Sequence, residues 1–102
     1  KSRIAFSGSA ILNFILSSDS RLKTNIIPVS ISPIDIEYKQ FELLSEKGQI
    51  RYGVIAQDLL KNNPELVRIN EKGMLSVAYI DLLIKEISYL KYKIIELEKR
   101  IK

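Results

Sequence analysis

The last quarter of the chain constrains its fold most. Ile80, Leu83, Ile87, Leu90, Ile94, Leu97 and Ile101 recur at alternating steps of three and four residues, with neither Gly nor Pro among them. In a heptad register every a position (80, 87, 94, 101) is Ile and every d position (83, 90, 97) is Leu, the pattern of a coiled-coil seam. A helix packed only on its own domain carries a broader stripe with period 3.6. In a parallel pair, each g residue faces the e residue five positions later on its neighbour. Glu86 then meets Lys91, and Lys93 meets Glu98. Both pairs attract, which favours identical parallel chains in register, although each exposed pair adds only a few tenths of a kcal/mol. Ile at a with Leu at d leans toward two strands, whereas Ile84 at e and Ile95 at b add apolar width that a larger bundle buries. Periodicity therefore leaves dimer and trimer open. Burying the seven seam side chains, at roughly 1.5 kcal/mol each, contributes on the order of 10 kcal/mol before ordering costs.

Such help matters for a chain of 102 residues, which fits one small domain of marginal stability by itself. The absence of Cys and His removes thiol catalysis, Ser-His-Asp triads, disulfides and the usual zinc constellations, so no metal or cofactor is expected. Proton transfer must fall to Lys, Tyr, Asp or Glu. Sixteen basic and twelve acidic residues give a net charge of +4, but their signs alternate along the chain without a basic block, so nucleic acid is not an expected partner. The longest apolar stretches, such as residues 10–16, fall far short of the roughly 20 residues of a membrane span, and no secretory signal is visible. The first residue is Lys, and the chain reads as a piece of a longer protein.

Residues 1–17 set Ile4, Phe6, Ile11, Phe14 and Leu16 among Ser, Gly and Ala, as in a strand or irregular stretch with a kink at Gly8, and are expected to be the end of an upstream fibre or shaft. The polar run Ser17 to Asn25 favours turns and marks a boundary. Residues 18–79 are expected to form the globular core. There, Ile34 to Lys39 alternates as a half-buried strand does, Gly48 closes a turn, and Gln49 to Ala56 makes a second strand. A short helix over 57–62 ends at Asn63-Pro64, and Leu66 to Ile69 and Met74 to Val77 flank a turn at residues 70–73. Residues 80–102 make the long helix. The predicted fold is α+β, a small sheet with short helices followed by a coiled-coil helix.

Four segments in this order resemble the peptidase S74, or intramolecular chaperone, domains at the C-termini of phage tail spikes and fibres. Residues 18–26 (SDSRLKTNI) are similar to that family's opening motif, 52–58 (YGVIAQD) to its central one, 64–67 (PELV) to the next, and 75–79 (LSVAY) to the strand that leads into its C-terminal helix. Between Ile26 and Pro33 the chain has only a few residues where family members commonly carry an extra short helix. The resemblance implies a homotrimer joined through the seam, with the upstream shaft of the same polypeptide as the other partner. The domain would align three shafts as they wind and then cut itself off. Since intertwined shafts with non-local contacts fold slowly, holding their ends together is physically useful. It further implies assembly in the host cytoplasm and release from the mature viral fibre.

On the same resemblance Ser18 and Lys23 are the catalytic dyad. A serine hydroxyl needs a neighbouring base, and without His the best available base is a neutral amine. A spacing of five puts the two residues on opposite faces of a strand and off the shared face of a helix, so their contact demands a turn, which Asp19-Ser20 can supply. A free lysine titrates near 10.4, so about one amine in a thousand or fewer is neutral at pH 7. Poising one near 7 or 8 takes about 4 kcal/mol of bias, from burial or from a nearby cation such as Arg21. Packing of the trimer is the expected source of burial. Asp19 either orients the amine or accepts backbone bonds in the turn.

Attack by Ser18 on its own carbonyl would close a four-membered ring, whereas attack on the preceding carbonyl closes a five-membered one. Within one chain the broken bond is then Ser17-Ser18. Cutting at Ser18-Asp19 is the alternative and needs a different nucleophile or another subunit's Ser18. Elsewhere, Gln57 and Asp58 read as residues that cap or start the short helix, and Tyr38, Tyr52 and Tyr79 as packing residues with a polar tip. Gly53 lacks the neighbouring glycines of a phosphate loop. Two other functions fit a small trimeric terminus: a trimerisation tag that never cuts, and a host-binding fibre tip.

Overall fold

The computed structural model describes residues 16–101; the expected shaft end lies outside them except for Leu16 and Ser17, as does Lys102. Instead of one sheet, the described residues hold two separate two-stranded antiparallel sheets. The first pairs β1 (Lys39–Phe41) with β2 (Arg51–Gly53), Gln40 opposite Tyr52. The second pairs β3 (Val67–Ile69) with β4 (Leu75–Val77), Arg68 opposite Ser76. Between the sheets lies the short helix α1 (Ala56–Leu60), and the chain closes on α2 (Tyr79–Ile101), 23 residues long.

Local chemistry explains where these elements depart from expectation. Ile34 and Ile36 are half-buried and alternate with exposed neighbours, as a strand would, but the Ile36 N–H bonds the Ile34 carbonyl at 3.0 Å. That three-residue bond uses a donor a sheet ladder needs, and β1 starts only at Lys39. Leu66 belongs to a 3-10 turn, Pro64–Leu66, and not to β3. Proline is well placed there because the first turn of a helix has no use for its missing N–H. In the second hairpin Asn70 governs the turn: its Oδ1 accepts the N–H groups of Lys72 at 2.8 Å and Met74 at 3.0 Å, while Gly73 takes a φ of 81°. Gly48, at φ 91°, closes the first connection and donates its N–H to Glu42 Oε1 at 2.7 Å.

Among the described residues the buried core is five side chains, Val54, Leu59, Leu66, Val67 and Leu82, with Ile34, Ile36, Leu60, Leu75 and Val77 packed around it. Leu82, wholly buried, is the one fully enclosed residue of α2. It occupies a c position, and on the same side Lys85, Glu86 and Tyr89 are half-buried against the core domain. Two polar contacts reinforce that face: Lys85 with Glu65 at 3.3 Å, and the Tyr38 hydroxyl donating to Glu86 Oε2 at 2.7 Å. The a and d residues point elsewhere. Ile80, Leu83, Ile87, Leu90, Ile94, Leu97 and Ile101 are all exposed, between 45% and 85%. Among the described residues, the helix thus docks on its own domain through one stripe and leaves the Ile/Leu stripe largely exposed.

Candidate active site

A tight turn builds the site from six consecutive residues. Ser20–Leu22 form one turn of 3-10 helix, flanked by extended backbone at Asp19 and at Lys23. The Leu22 N–H bonds the Asp19 carbonyl at 3.0 Å and the Lys23 N–H bonds the Ser20 carbonyl at 3.1 Å. This reversal folds residue 23 back beside residue 18, as their spacing requires. The Lys23 ammonium Nζ lies 2.5 Å from Ser18 Oγ and donates to it. Past Thr24 the chain turns again at Asn25, whose φ of 53° lies in the left-handed region. Asparagine tolerates that conformation better than most residues, a signal readable in sequence though a single Asn is a weak one.

Asp19 and Arg21 take roles in the turn itself. Asp19 Oδ1 accepts the Arg21 N–H at 2.9 Å, capping the 3-10 turn, and the Arg21 guanidinium grips the same carboxylate with its Nε at 3.1 Å and a terminal nitrogen at 2.8 Å. Hydrogen bonds from the Arg21 side chain, then from its backbone, hold the Asp19 carboxyl below its usual range, and Asp19 in turn raises the guanidinium. Of the two roles open to Asp19, the turn is the one occupied, since its carboxylate goes to Arg21 and the amine goes to Ser18. Arg21 is spent on Asp19, in an ion pair at 2.8 Å.

Ser17, Ser18, Asp19, Arg21 and Lys23 are all exposed in the single chain. The hydroxyl and amine are in contact, and among the described residues no protein surface encloses them. The next residues run past α2: Val29 lines an open groove of about 480 Å³ with Ile84, Ile87, Tyr92 and Ile95. Nothing in the sequence pattern pairs residue 29 with this helix face.

The other singled-out residues sort clearly. The Tyr79 ring packs over Gly53, and its hydroxyl accepts the Val54 N–H at 3.0 Å, a packing residue with a polar tip as expected. Tyr38 lies against Glu86, whereas Tyr52 departs from expectation and stands 76% exposed, on the rim of an open groove it shares with Tyr38, Tyr79 and Leu83. Helix α1 begins after Ile55 without a side-chain cap, and Asp58 sits in its first turn where the helix dipole favours a negative charge. No helix among the described residues is long and apolar enough to cross a membrane.

Comparison with curated proteins gives no match, and neither does comparison with solved structures. A family model, Peptidase_S74, described as chaperone of endosialidase, matches residues 18–68. That family couples intramolecular chaperone function to a peptidase that cuts its own chain. The match opens on Ser18, takes in Lys23, the first hairpin, α1 and the 3-10 turn at Pro64, and ends in β3; by this match the chain belongs to the Peptidase_S74 family.

Proposed function

We propose that the chain is a C-terminal chaperone domain that holds three copies of an upstream fibre shaft together and then releases itself by a Ser18–Lys23 dyad. The observation that carries the cutting step is the 2.5 Å contact between the Lys23 amine and the Ser18 hydroxyl. The seven exposed seam residues support self-association, since a free stripe of this regularity is costly in water and self-complementary.

The reaction follows from the ring argument. With its amine neutral, Lys23 takes the Ser18 hydroxyl proton as Oγ attacks the Ser17 carbonyl carbon. The tetrahedral carbon collapses with loss of the Ser17–Ser18 C–N bond, and the lysine proton passes to the departing nitrogen. An ester then joins the Ser17 acyl group to Ser18 Oγ. Water cleaves it, leaving a carboxylate on Ser17 and restoring the hydroxyl.

In a lone chain Ser18 and Lys23 both stand exposed to water. Assembly that covers the turn removes that water, which makes cutting a report on completed trimerisation. This would take place in the host cytoplasm during virion assembly, the freed domain leaving the mature fibre. A time course of the full-length precursor on a denaturing gel tests the reading. Wild type should yield a fragment whose mass places the cut at Ser17-Ser18, and Lys23→Met should remain an uncut oligomer. Efficient cutting by Lys23→Met would remove the dyad; an intact wild-type precursor would leave a trimerisation tag.

A further inference from the structure

Between the dyad and β1 runs a segment with no regular structure and an unusual share of exposed apolar side chains. Ile26 is 68% exposed, Ile27 80%, Val29 41% and Ile31 44%. Pro28 and Pro33 lack a backbone N–H, so the stretch is poorly suited to a central sheet ladder, and its exposed apolar side chains are what it has to offer a partner. Val29 already borders α2, in the groove beside Ile84, Ile87 and Ile95. Lys23 lies three residues before Ile26, a reach of at most about 10 Å of extended chain. Whatever seats this segment sets the surroundings of the amine.

We propose that residues 26–31 form a strap that packs between their own α2 and the α2 of a second copy, and that this seating is the step that dries the Ser18–Lys23 pair. The inference rests on the self-association and self-cleavage proposed above. The occupant is a second copy for two reasons. Ile84, which lines the groove, is an e position, and Ile87, which also lines it, is an a position, so the groove opens beside the seam where the helix of a second copy would lie. Area gives the second reason. At roughly 100 Å² apiece the seam residues offer about 700 Å², just under the ~800 Å² per partner of a standard interface, and the strap with Ile84 and Ile95 carries the surface beyond it.

The test uses the full-length precursor and three readouts: sedimentation for oligomeric state, a denaturing gel for cutting, and hydrogen exchange by mass spectrometry over residues 24–33. The paired change Ile26→Ser with Ile27→Ser touches side chains that are solvated in the single chain and leaves the seam intact. It should remain oligomeric yet cut on the order of 10- to 100-fold more slowly, with Ile26→Val and Ile27→Val restoring the rate. Assembled Lys23→Met precursor should protect residues 24–33 from exchange, and the same precursor kept apart by Leu90→Asp should not. Equal exchange in those two states, or wild-type cutting by the serine pair, would overturn the strap. A monomeric wild type, or cutting by Lys23→Met, would overturn the underlying reading whatever the strap does.

Discussion

The hydroxyl of Tyr79 accepts the backbone N–H of Val54 at 3.0 Å, fastening the first residue of the long helix to the end of the first hairpin. The ring reaches that position only because residue 53 is Gly: a Cβ there would lie 3.1 Å from the ring carbon Cζ and would run into the hydroxyl oxygen. Gly53→Ala should therefore destabilise the domain by about 1–3 kcal/mol through overpacking, and Tyr79→Phe by about 0.5–1.5 kcal/mol through the lost hydrogen bond. Since both act at one point, the double variant should be more stable than the sum of the singles predicts. Denaturant unfolding at fixed chain concentration checks the cycle.

Leu82 and Leu90 are both leucines of α2, yet one is wholly buried and the other 57% exposed. Leu82→Ala should cost about 2–5 kcal/mol at every chain concentration, a severe loss for so small a core. Leu90→Ala should change the unfolding of dilute single chains by less than about 0.5 kcal/mol while sharply weakening the oligomer. Melting curves over a concentration series separate the two, and a concentration-independent loss at Leu90 would argue against an intersubunit seam.

Tyr38 carries a spectroscopic handle on helix docking. Burial, then its hydrogen bond to Glu86, then that carboxylate's charge, push the phenol up from its usual 10 to about 12. The folded value lies above the unfolded one, so the contribution to stability is complete below about pH 10 and is lost as pH rises through about 12. Ultraviolet titration should show a phenol ionising near 12, and Tyr38→Phe should delete that phase. Glu86→Gln should bring it part of the way back, since burial persists without the charge.

Asp19 serves the turn that presents Lys23, and its two functions can be separated. Asp19→Asn keeps an oxygen for the Arg21 N–H but gives up the ion pair, whereas Asp19→Ala loses both. Cutting should slow in the order wild type, Asn, Ala, with the oligomer unchanged. The folded carboxyl sits below its ordinary range, so this contribution is full above about pH 4 and is lost as pH falls through the lowered value. A rate that rises in Asp19→Ala would show that the capped turn restrains the dyad.

Much of this was readable in the chain because the signals are local. The α2 heptads need only α-helical geometry to put Ile and Leu on one face, and Asn70 with Gly73 identifies a hairpin turn by its own hydrogen bonds. The Ser18–Lys23 contact needs only one turn across five residues, but what singles out that pair in the sequence is the resemblance of residues 18–26 to a family motif, since the spacing alone is common. What escaped depends on distant partners or on competition for one donor. The Ile36 N–H prefers the Ile34 carbonyl to a ladder, which shortens β1. Tyr38 finds Glu86 across 48 residues, and Val29 finds the Ile84 to Ile95 face, with no pattern announcing either pair. Tyr52 reads as a packing residue by type, but type does not reveal that its side chain ends on the open rim of a groove.

The enclosure of Leu82 has a geometric corollary. Successive residues of an α-helix are rotated by about 100°, so burying a c position while a and d stay free fixes the rotational phase of the helix against its own head. In any parallel coil of these helices the azimuth of each head, and with it the bearing of every Ser18 around the common axis, would be dictated by that single leucine.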